Sequence, residues 1–335
     1  MNIKQKIKSQ LYLYHRGGLR YLIGSKLVAH GLMDKERFLA SKPNARFNKY
    51  FENLPVEDYE KELLEQFDSI LYYSNAKLTD NPKTFNEKIQ WLKVHDVSTL
   101  KTRLADKYLV REWIKEQIGE DYLIPMVGGP WKSAEEIDFD KLPDRFVLKA
   151  NHGSGTNMIV KDKSKLDLKK VRKTSNSWLN MVYGWRGMEA HYIQIPRVLI
   201  AEKFMEDESV EGLNDYKIHC FNGKPKMIQV ICSRDFKNHT AREAFFDLDW
   251  NRINLVSHTY ADYDGELPPP PCLKEMIDVA RKLSKDFIYV RVDLYEISGK
   301  VLFGELTFAP MGGFWKTGDG SNAEVESMLT LPSRK

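Results

Sequence analysis

Cysteine is scarce: Cys220, Cys232 and Cys272 are the only three, an odd number without the paired spacing of a metal site. That argues against a disulfide-built scaffold and predicts reduced, mostly buried thiols in a cytoplasmic protein. No uninterrupted apolar run approaches the ~20 residues a membrane-spanning helix needs. The polar start, Met1 to Ser9, lacks the apolar centre of a secretory signal. Two common phosphate-binding fingerprints are missing, the Walker spacing ending in Gly-Lys-Ser/Thr and Gly-x-Gly-x-x-Gly. Among the eight histidines no pair has convincing metal spacing, so zinc is not expected. A formal charge of +4 over 335 residues is too small to point to nucleic acid as a partner. No internal repeat is visible.

What is present is ordinary for a globular protein, with 42% hydrophobic and 29% charged residues and enough length for more than one lobe. The charge is unevenly placed. Residues 1–50 carry eleven Lys or Arg against two acids, Asp34 and Glu36. Leu19, Tyr21, Leu22, Ile23, Leu27 and Val28 sit among Arg16, Arg20 and Lys26. Such a segment can lie peripherally on an anionic membrane face or pack as a helical arm on its own protein. Gly17, Gly18, Gly24 and Gly31 predict a poor continuous helix there.

Apolar residues at helical spacing predict a helix over Val56 to Tyr73. Thr84 and Glu87 form a capping-box pattern at the start of a second, and a third is expected from Thr99 to Gln117, before Gly119. The pattern then changes. Strands are expected at Phe146 to Ala150, at Met158 to Val160 and, after a helix around Leu166 to Tyr183, at Arg197 to Phe204. Asp215 to Phe221 and Lys226 to Ser233 flank Asn222-Gly223, a strong hairpin signal. Beyond the Pro268 to Pro271 connector come a helix starting at Leu273 and a last strand pair, Ile288 to Ile297 and Val301 to Ala309.

Three constellations carry chemistry. After the strand ending at Ala150, Gly153 and Gly155 allow backbone amides to converge on phosphate oxygens, with Lys149 just upstream; a plain tight turn is the alternative. In the last strand pair, alternation puts Arg291, Asp293 and Tyr295 on one face, and Phe303, Glu305 and Thr307 on one face. A three-residue loop, Ser298 to Lys300, would set Asp293 opposite Glu305 and Arg291 opposite Thr307, whereas a two-residue loop would spoil that register. Adjacent carboxylates repel unless a cation joins them, which suits magnesium or an Arg291–Asp293–Glu305 salt-bridge network. Third, Asp215, Lys217 and His219 share a strand face and Arg234 closes the next strand; Lys217 and Arg234 could neutralise a transferring phosphoryl group.

The combined order resembles the ATP-grasp superfamily. More narrowly, Thr84 to Lys93, Ala105 to Tyr108, Phe146 to Gly155, Asp215 to Lys217, Cys220 to Lys224 and Gly304 to Phe308 resemble the TupA-like ATP-grasp family of polysaccharide biosynthesis, over roughly residues 80–332. The resemblance implies an α+β ATP-grasp fold, two subdomains gripping ATP, with a mainly helical N-terminal extension. The expected divisions are a basic extension (1–98), a phosphate-loop part (99–205) and a C-terminal subdomain with the metal site (206–335). It further implies that Lys107 and Lys149 hold the ATP phosphates, that the loop Gly153 to Asn157 forms a flap over them, and that His152, Gly153, Ser154, Gly155 and Thr156 contact the cofactor. Glu202, Lys203 and Phe204 would meet adenine, and Asp215 would join the cofactor contacts. Lys217, standing where related ligases carry arginine, would act with Arg234 and Arg291 in catalysis. Asp293, Glu305 and Thr307 would hold Mg2+, Thr307 replacing the superfamily's usual asparagine. The implied function is an ATP-dependent ligase joining a uronic sugar carboxylate to an amino acid or amine in cell-surface polysaccharide or capsule biosynthesis. Alternatives are a sugar kinase on the same fold, a glycosyltransferase and a nucleotide-binding protein without turnover.

Overall fold

A computed structural model describes residues 3–70, 79–185, 187–206, 213–235, 240–255, 257, 259–315 and 323–332. The chain divides into two compact units, each built from three chain segments.

The first unit takes Met1–Lys77, Lys93–Tyr108 and Pro125–Phe204. It opens with α1 (Ile3–Ala29), α2 (Lys35–Leu39), α3 (Lys42–Glu52) and α4 (Tyr59–Ile70). The helix expected over Val56 to Tyr73 is thus α4 preceded by a 3-10 turn at Val56–Asp58; Leu71 to Tyr73 lie outside the described residues. The glycine-rich arm is more helical than its composition suggests: in α1 only Gly18 leaves helical angles (φ 77°, ψ 176°). Gly17 and Gly24 are packing glycines. A Cβ on Gly17 would come within 2.4 Å of the Tyr21 ring, and one on Gly24 within 2.5 Å of Phe38. Close aromatic packing therefore outweighs the roughly 1 kcal/mol helix penalty of each glycine. On the packed side Tyr21 stacks on Phe47 at 3.9 Å between centroids, and the buried Arg16 pairs with Glu62 over the Tyr12 ring.

The expected helix from Thr99 to Gln117 is two: α6 (Thr99–Ala105) and α7 (Val110–Ile118), following α5 (Phe85–His95). The break falls at Asp106, whose carboxylate accepts the backbone N–H of Tyr108 at 2.8 Å, a turn that competes with helix. Strands β1 (Met126–Trp131), β2 (Phe146–Ala150), β3 (Asn157–Val160) and β4 (Leu199–Lys203) form an antiparallel sheet in the order β1-β4-β2-β3. Strand β1 was not foreseen, because its Gly128-Gly129-Pro130 reads as a loop. Helix α8 (Leu168–Leu179) buries Val171 and Trp178 in the core with Phe146, Leu148 and Leu199, and α9 (Ala190–Ile193) packs on α6.

The second unit takes Leu78–Leu92, Leu109–Ile124 and Met205–Lys335. Strands β5 (Asp215–Phe221), β6 (Lys224–Asp235), β7 (Thr240–Phe246), β8 (Ala261–Asp262), β9 (Tyr289–Ile297) and β10 (Lys300–Thr307) form a sheet ordered β10-β9-β5-β6-β7-β8. Helix α10 (Leu273–Ser284) packs on β5, β6 and β9, and α11 (Ala323–Met328) follows. The capping box at α5 forms in both directions: Glu87 N–H donates to Thr84 Oγ1 at 3.2 Å, and Thr84 N–H to Glu87 Oε2 at 3.1 Å. The rest of that motif clamps the C-terminal loop. Asn86 exchanges two hydrogen bonds with the Trp315 backbone, Gln90 donates to the Gly312 and Gly313 carbonyls, and Lys88 to those of Glu326 and Leu329.

Candidate active site

In the first unit, β2 delivers Lys149 to the mouth of the Asn151–Gly155 loop, which is closed by the Ala150 N–H donating to the Thr156 carbonyl at 2.9 Å. Asn151 is the loop's buried anchor: its side chain donates to the Pro196 carbonyl and accepts from the Val198 N–H, both at 2.9 Å. His152 is also turned inward, its Nε2 2.9 Å from the Met181 carbonyl, and burial pushes its pKa down to about 4. In this structure His152 holds the loop's base and Thr156 is buried, while Ser154 and Gly155 are exposed. The two loop glycines differ. Both have positive φ (77° and 72°), but a Cβ on Gly153 would sit 2.2 Å from the Tyr183 ring, whereas nothing lies within 4 Å of one on Gly155.

Lys107 reaches this loop from the turn after α6. Its N–H donates to the Asn151 carbonyl at 3.0 Å and its ammonium to the Gly153 carbonyl at 2.6 Å. Lys149 pairs with the Glu202 carboxylate, brought alongside by the β2–β4 register. At the end of β4, Lys203 is exposed, and Phe204 is half-buried with the Arg145 guanidinium 4.5 Å over its ring. Lys107, Lys149, the glycine loop and Glu202 are therefore gathered at one edge of the sheet.

In the second unit the turn between β9 and β10 contradicts the expected loop length. Ile297 pairs with Lys300, so the loop is the two residues Ser298 and Gly299, at φ 51° and 78°. Both φ are positive, as a type I′ hairpin requires. Between the turn and Phe303 the register is therefore one residue off, with Phe303 opposite Leu294 and out of the expected alternation with Glu305 and Thr307, but beyond Gly304 the expected register holds. A bulge at Gly304 inserts one residue, restoring Asp293 opposite Glu305 and Arg291 opposite Thr307. A Cβ on Gly304 would lie 3.0 Å from the Asp293 carbonyl oxygen, so the bulge is fitted to glycine. The β5–β6 hairpin repeats the device: a two-residue Asn222-Gly223 turn and a one-residue shift between His219 and Cys220 set Lys217 opposite Gln229.

The result is a polar face across the sheet. Arg291 grips Asp293 through two bonds of 2.7 Å and donates to Thr307 Oγ1 at 3.1 Å; Glu305 Oε1 lies 3.7 Å from Arg291 Nη2. Lys217, opposite Asp293 on β5, donates to it at 2.5 Å and stands 3.7 Å from Asp215, which pairs with Arg234. The salt-bridge network foreseen as an alternative to a metal thus exists. Burial pushes the Asp293 carboxyl pKa up, but Arg291 and Lys217 outweigh it and hold it below the usual carboxylate range. The donor set of Asp293, Glu305 and Thr307 is all hard oxygen on adjacent strands, and Asp293 is held ionised. These residues fit a magnesium ion that shares its remaining ligands with phosphate.

Sequence reading missed the layer beside this face. Glu243 accepts from the Gln229 amide at 2.6 Å, and Gln229 Oε1 faces His219 Nε2 at 3.3 Å. With the amide turned that way, His219 donates from Nε2, and its Nδ1 accepts from the Tyr289 hydroxyl at 2.9 Å. Trp315 stacks on the imidazole, and burial, seconded by the Arg291 charge, takes its pKa to about 3. His219 therefore buttresses the site as a neutral hydrogen-bonding group. Glu243 lies on β7, a strand whose charged Arg242-Glu243 pair concealed it; Gln229 could have been placed only by knowing the bulge.

A family model for TupA-like ATPgrasp proteins matches residues 87–329. The chain belongs to the TupA-like ATP-grasp family and has the ATP-grasp fold. Comparison with curated proteins finds no match. Among solved structures, it is similar to D-alanine–D-alanine ligase from Bacillus anthracis, at 20% identity and TM-score 0.32 over 61% of this chain and 56% of that one. The same enzyme from Helicobacter pylori is 15% identical, with TM-score 0.36 over 69% and 63%. An N5-carboxyaminoimidazole synthetase from Staphylococcus aureus, complexed with ADP, is 12% identical, with TM-score 0.36 over 69% and 53%. The chain thus spans just over half to under two-thirds of the length of these proteins, and the family assignment rests on the family model.

Proposed function

We propose that the protein is an ATP-dependent carboxylate–amine ligase using Mg2+. In this reading a carboxylate oxygen attacks the γ-phosphorus of ATP, releasing ADP. An amine then attacks the acyl phosphate, forming the amide and expelling phosphate. The acid we favour is a uronic sugar carboxylate of a cell-surface glycan or its precursor, and the amine an amino acid or simple amine, with the enzyme in the cytoplasm where ATP is made. The observation that supports the reading is the register of β9, β10 and β5, which sets Arg291 and Lys217 beside Asp293, with Glu305 and Thr307 on the adjacent strand.

Lys107 and Lys149 would bind the phosphates as point charges while the Gly153 to Thr156 amides orient them. Glu202 holds Lys149 in place, and Glu202 to Phe204 would meet the adenine. Asp293, Glu305 and Thr307 would hold the metal, which when bound neutralises phosphate charge. Arg291, Lys217 and Arg234 supply fixed positive charge for the transferring phosphoryl group and the acyl phosphate oxyanion. Because Asp293 and Asp215 already orient these cations, little rearrangement is needed as charge develops. The test is an ADP-release screen with uronic acids and amines crossed pairwise. Release that needs one acid and one amine together supports ligation. Release with a hydroxylated sugar and no amine indicates a kinase, and turnover of a nucleotide sugar without ATP a glycosyltransferase.

A further inference from the structure

Helix α1 has two different sides. The packed side carries Tyr12, Arg16, Tyr21 and Gly24, all buried. Its one buried charge is answered locally, since Arg16 pairs with Glu62 and Glu65. The opposite side carries Ile7, Leu11 and Tyr14 before the Gly18 interruption and Leu19 and Ile23 after it, each 47–58% exposed. In each half these residues recur at three- or four-residue intervals, so they form a stripe. Packing on its own unit and presenting an apolar face outward, posed by the sequence as alternatives, are therefore both true of this helix.

The charges along α1 itself are of one sign. Lys4, Lys6, Lys8, Arg16, Arg20 and Lys26 precede the first acid of the chain, Asp34. Arg20 and Lys26 are exposed beside Leu19 and Ile23, whereas Glu62 is turned to Arg16 on the packed side. Among the described residues no helix is long and apolar enough to cross a membrane. An apolar stripe flanked by Lys and Arg, on a helix fixed lengthwise to its domain, has the chemistry of an interfacial helix. We propose that the outer face of α1 docks the protein on an anionic lipid surface, with Ile7, Leu11, Tyr14, Leu19 and Ile23 entering the headgroup–acyl boundary and Arg20 and Lys26 meeting lipid phosphates.

The experiment is co-sedimentation of the full chain with phosphatidylcholine vesicles, with or without roughly a third phosphatidylglycerol. It needs no turnover, so its outcome is independent of the ligase reading. The wild type should bind the anionic vesicles at least ~10-fold more tightly than the neutral ones, and less tightly as salt rises. Leu11→Asp/Ile23→Asp and, separately, Arg20→Glu/Lys26→Glu should each weaken binding at least ~10-fold. Melting curves show whether each variant folds; the charge reversals change only exposed side chains and decide the matter if the apolar variant does not. Failure to bind vesicles, equal binding to neutral and anionic ones, or unchanged binding by the folded variants would overturn the proposal. So would a dimer that Leu11→Asp/Ile23→Asp splits while the wild type ignores lipid, which would give this face to a second copy of the chain.

Discussion

The glycine loop of the first unit and the carboxylate face of the second are built on different plans. At the loop the charges are few: one ion pair joins the half-buried Lys149 to the buried Glu202, and Lys107 donates to the Gly153 carbonyl. Across the β10-β9-β5 face the charges are dense and interlocked, with Asp293 gripped by two cations while its side chain is only 5% exposed. The loop couples binding to stability through the Lys149–Glu202 pair alone. The sheet face couples them, because a buried charge that loses its partner costs several kcal/mol.

The sharpest way to break this comparison is Gly304→Val. A Cβ there closes on the Asp293 carbonyl oxygen and disfavours the bulge; a regular ladder pairs position 304 with Asp293 and turns Glu305 and Thr307 to the other face of β10. Magnesium-dependent ADP release should fall to background, and any retained activity would disconnect the register from function. Next, Asp293→Ala should lower turnover by about 10³-fold and also cost about 3–5 kcal/mol of stability, because Arg291 and Lys217 are left facing each other. Lys149→Ala should lower turnover by about 10²-fold and cost about 1–3 kcal/mol of stability, less than Asp293→Ala, since it leaves the single buried carboxylate of Glu202 without that partner. Paired kinetics and denaturant melts of these two variants measure the difference directly.

Within the loop, Gly153→Ala meets both positive φ and the Tyr183 ring, whereas Gly155→Ala meets positive φ alone. The second should cost about 1 kcal/mol and the first distinctly more, read from melting temperatures. The last probe is pH. Burial holds His152 near a pKa of about 4 and His219 near about 3. Below about 6.5 the unfolded chain takes up protons that the folded chain refuses, so stability falls as pH drops from there. Asp293 behaves differently: its folded pKa is depressed, so its contribution is intact above about pH 4 and lost as pH falls through the folded value. His152→Gln should flatten the slope between pH 6.5 and 4 by about 2–3 kcal/mol in total, leaving the more acidic step in place.

How legible this was depended on whether a signal was local. Thr84 with Glu87 and Asn222-Gly223 declare a helix start and a hairpin through their own backbone chemistry, and both form as expected. The strand Phe146 to Ala150 was placed to the residue. Register was harder, because two errors cancelled: the β9–β10 loop is one residue shorter than expected and the Gly304 bulge adds one back. Nothing in Phe303-Gly304-Glu305 alone announces a bulge; it is set by Gly304 closing on the Asp293 carbonyl across the ladder. The helix break at Asp106 and strand β7 were hidden for a related reason. In each a charged or polar residue, Asp106 or Glu243, finds a partner that hydropathy spacing does not register.

The central claim is that amide formation passes through an acyl phosphate. It is tested most directly with an acid acceptor whose carboxylate carries oxygen-18, turned over with Mg-ATP and an amine. The account predicts that one labelled oxygen per amide formed appears in the released phosphate, because that oxygen bridges carbon and phosphorus before the amine attacks. ADP formation with no label in phosphate, or with the phosphoryl group retained on an acceptor hydroxyl, would contradict it.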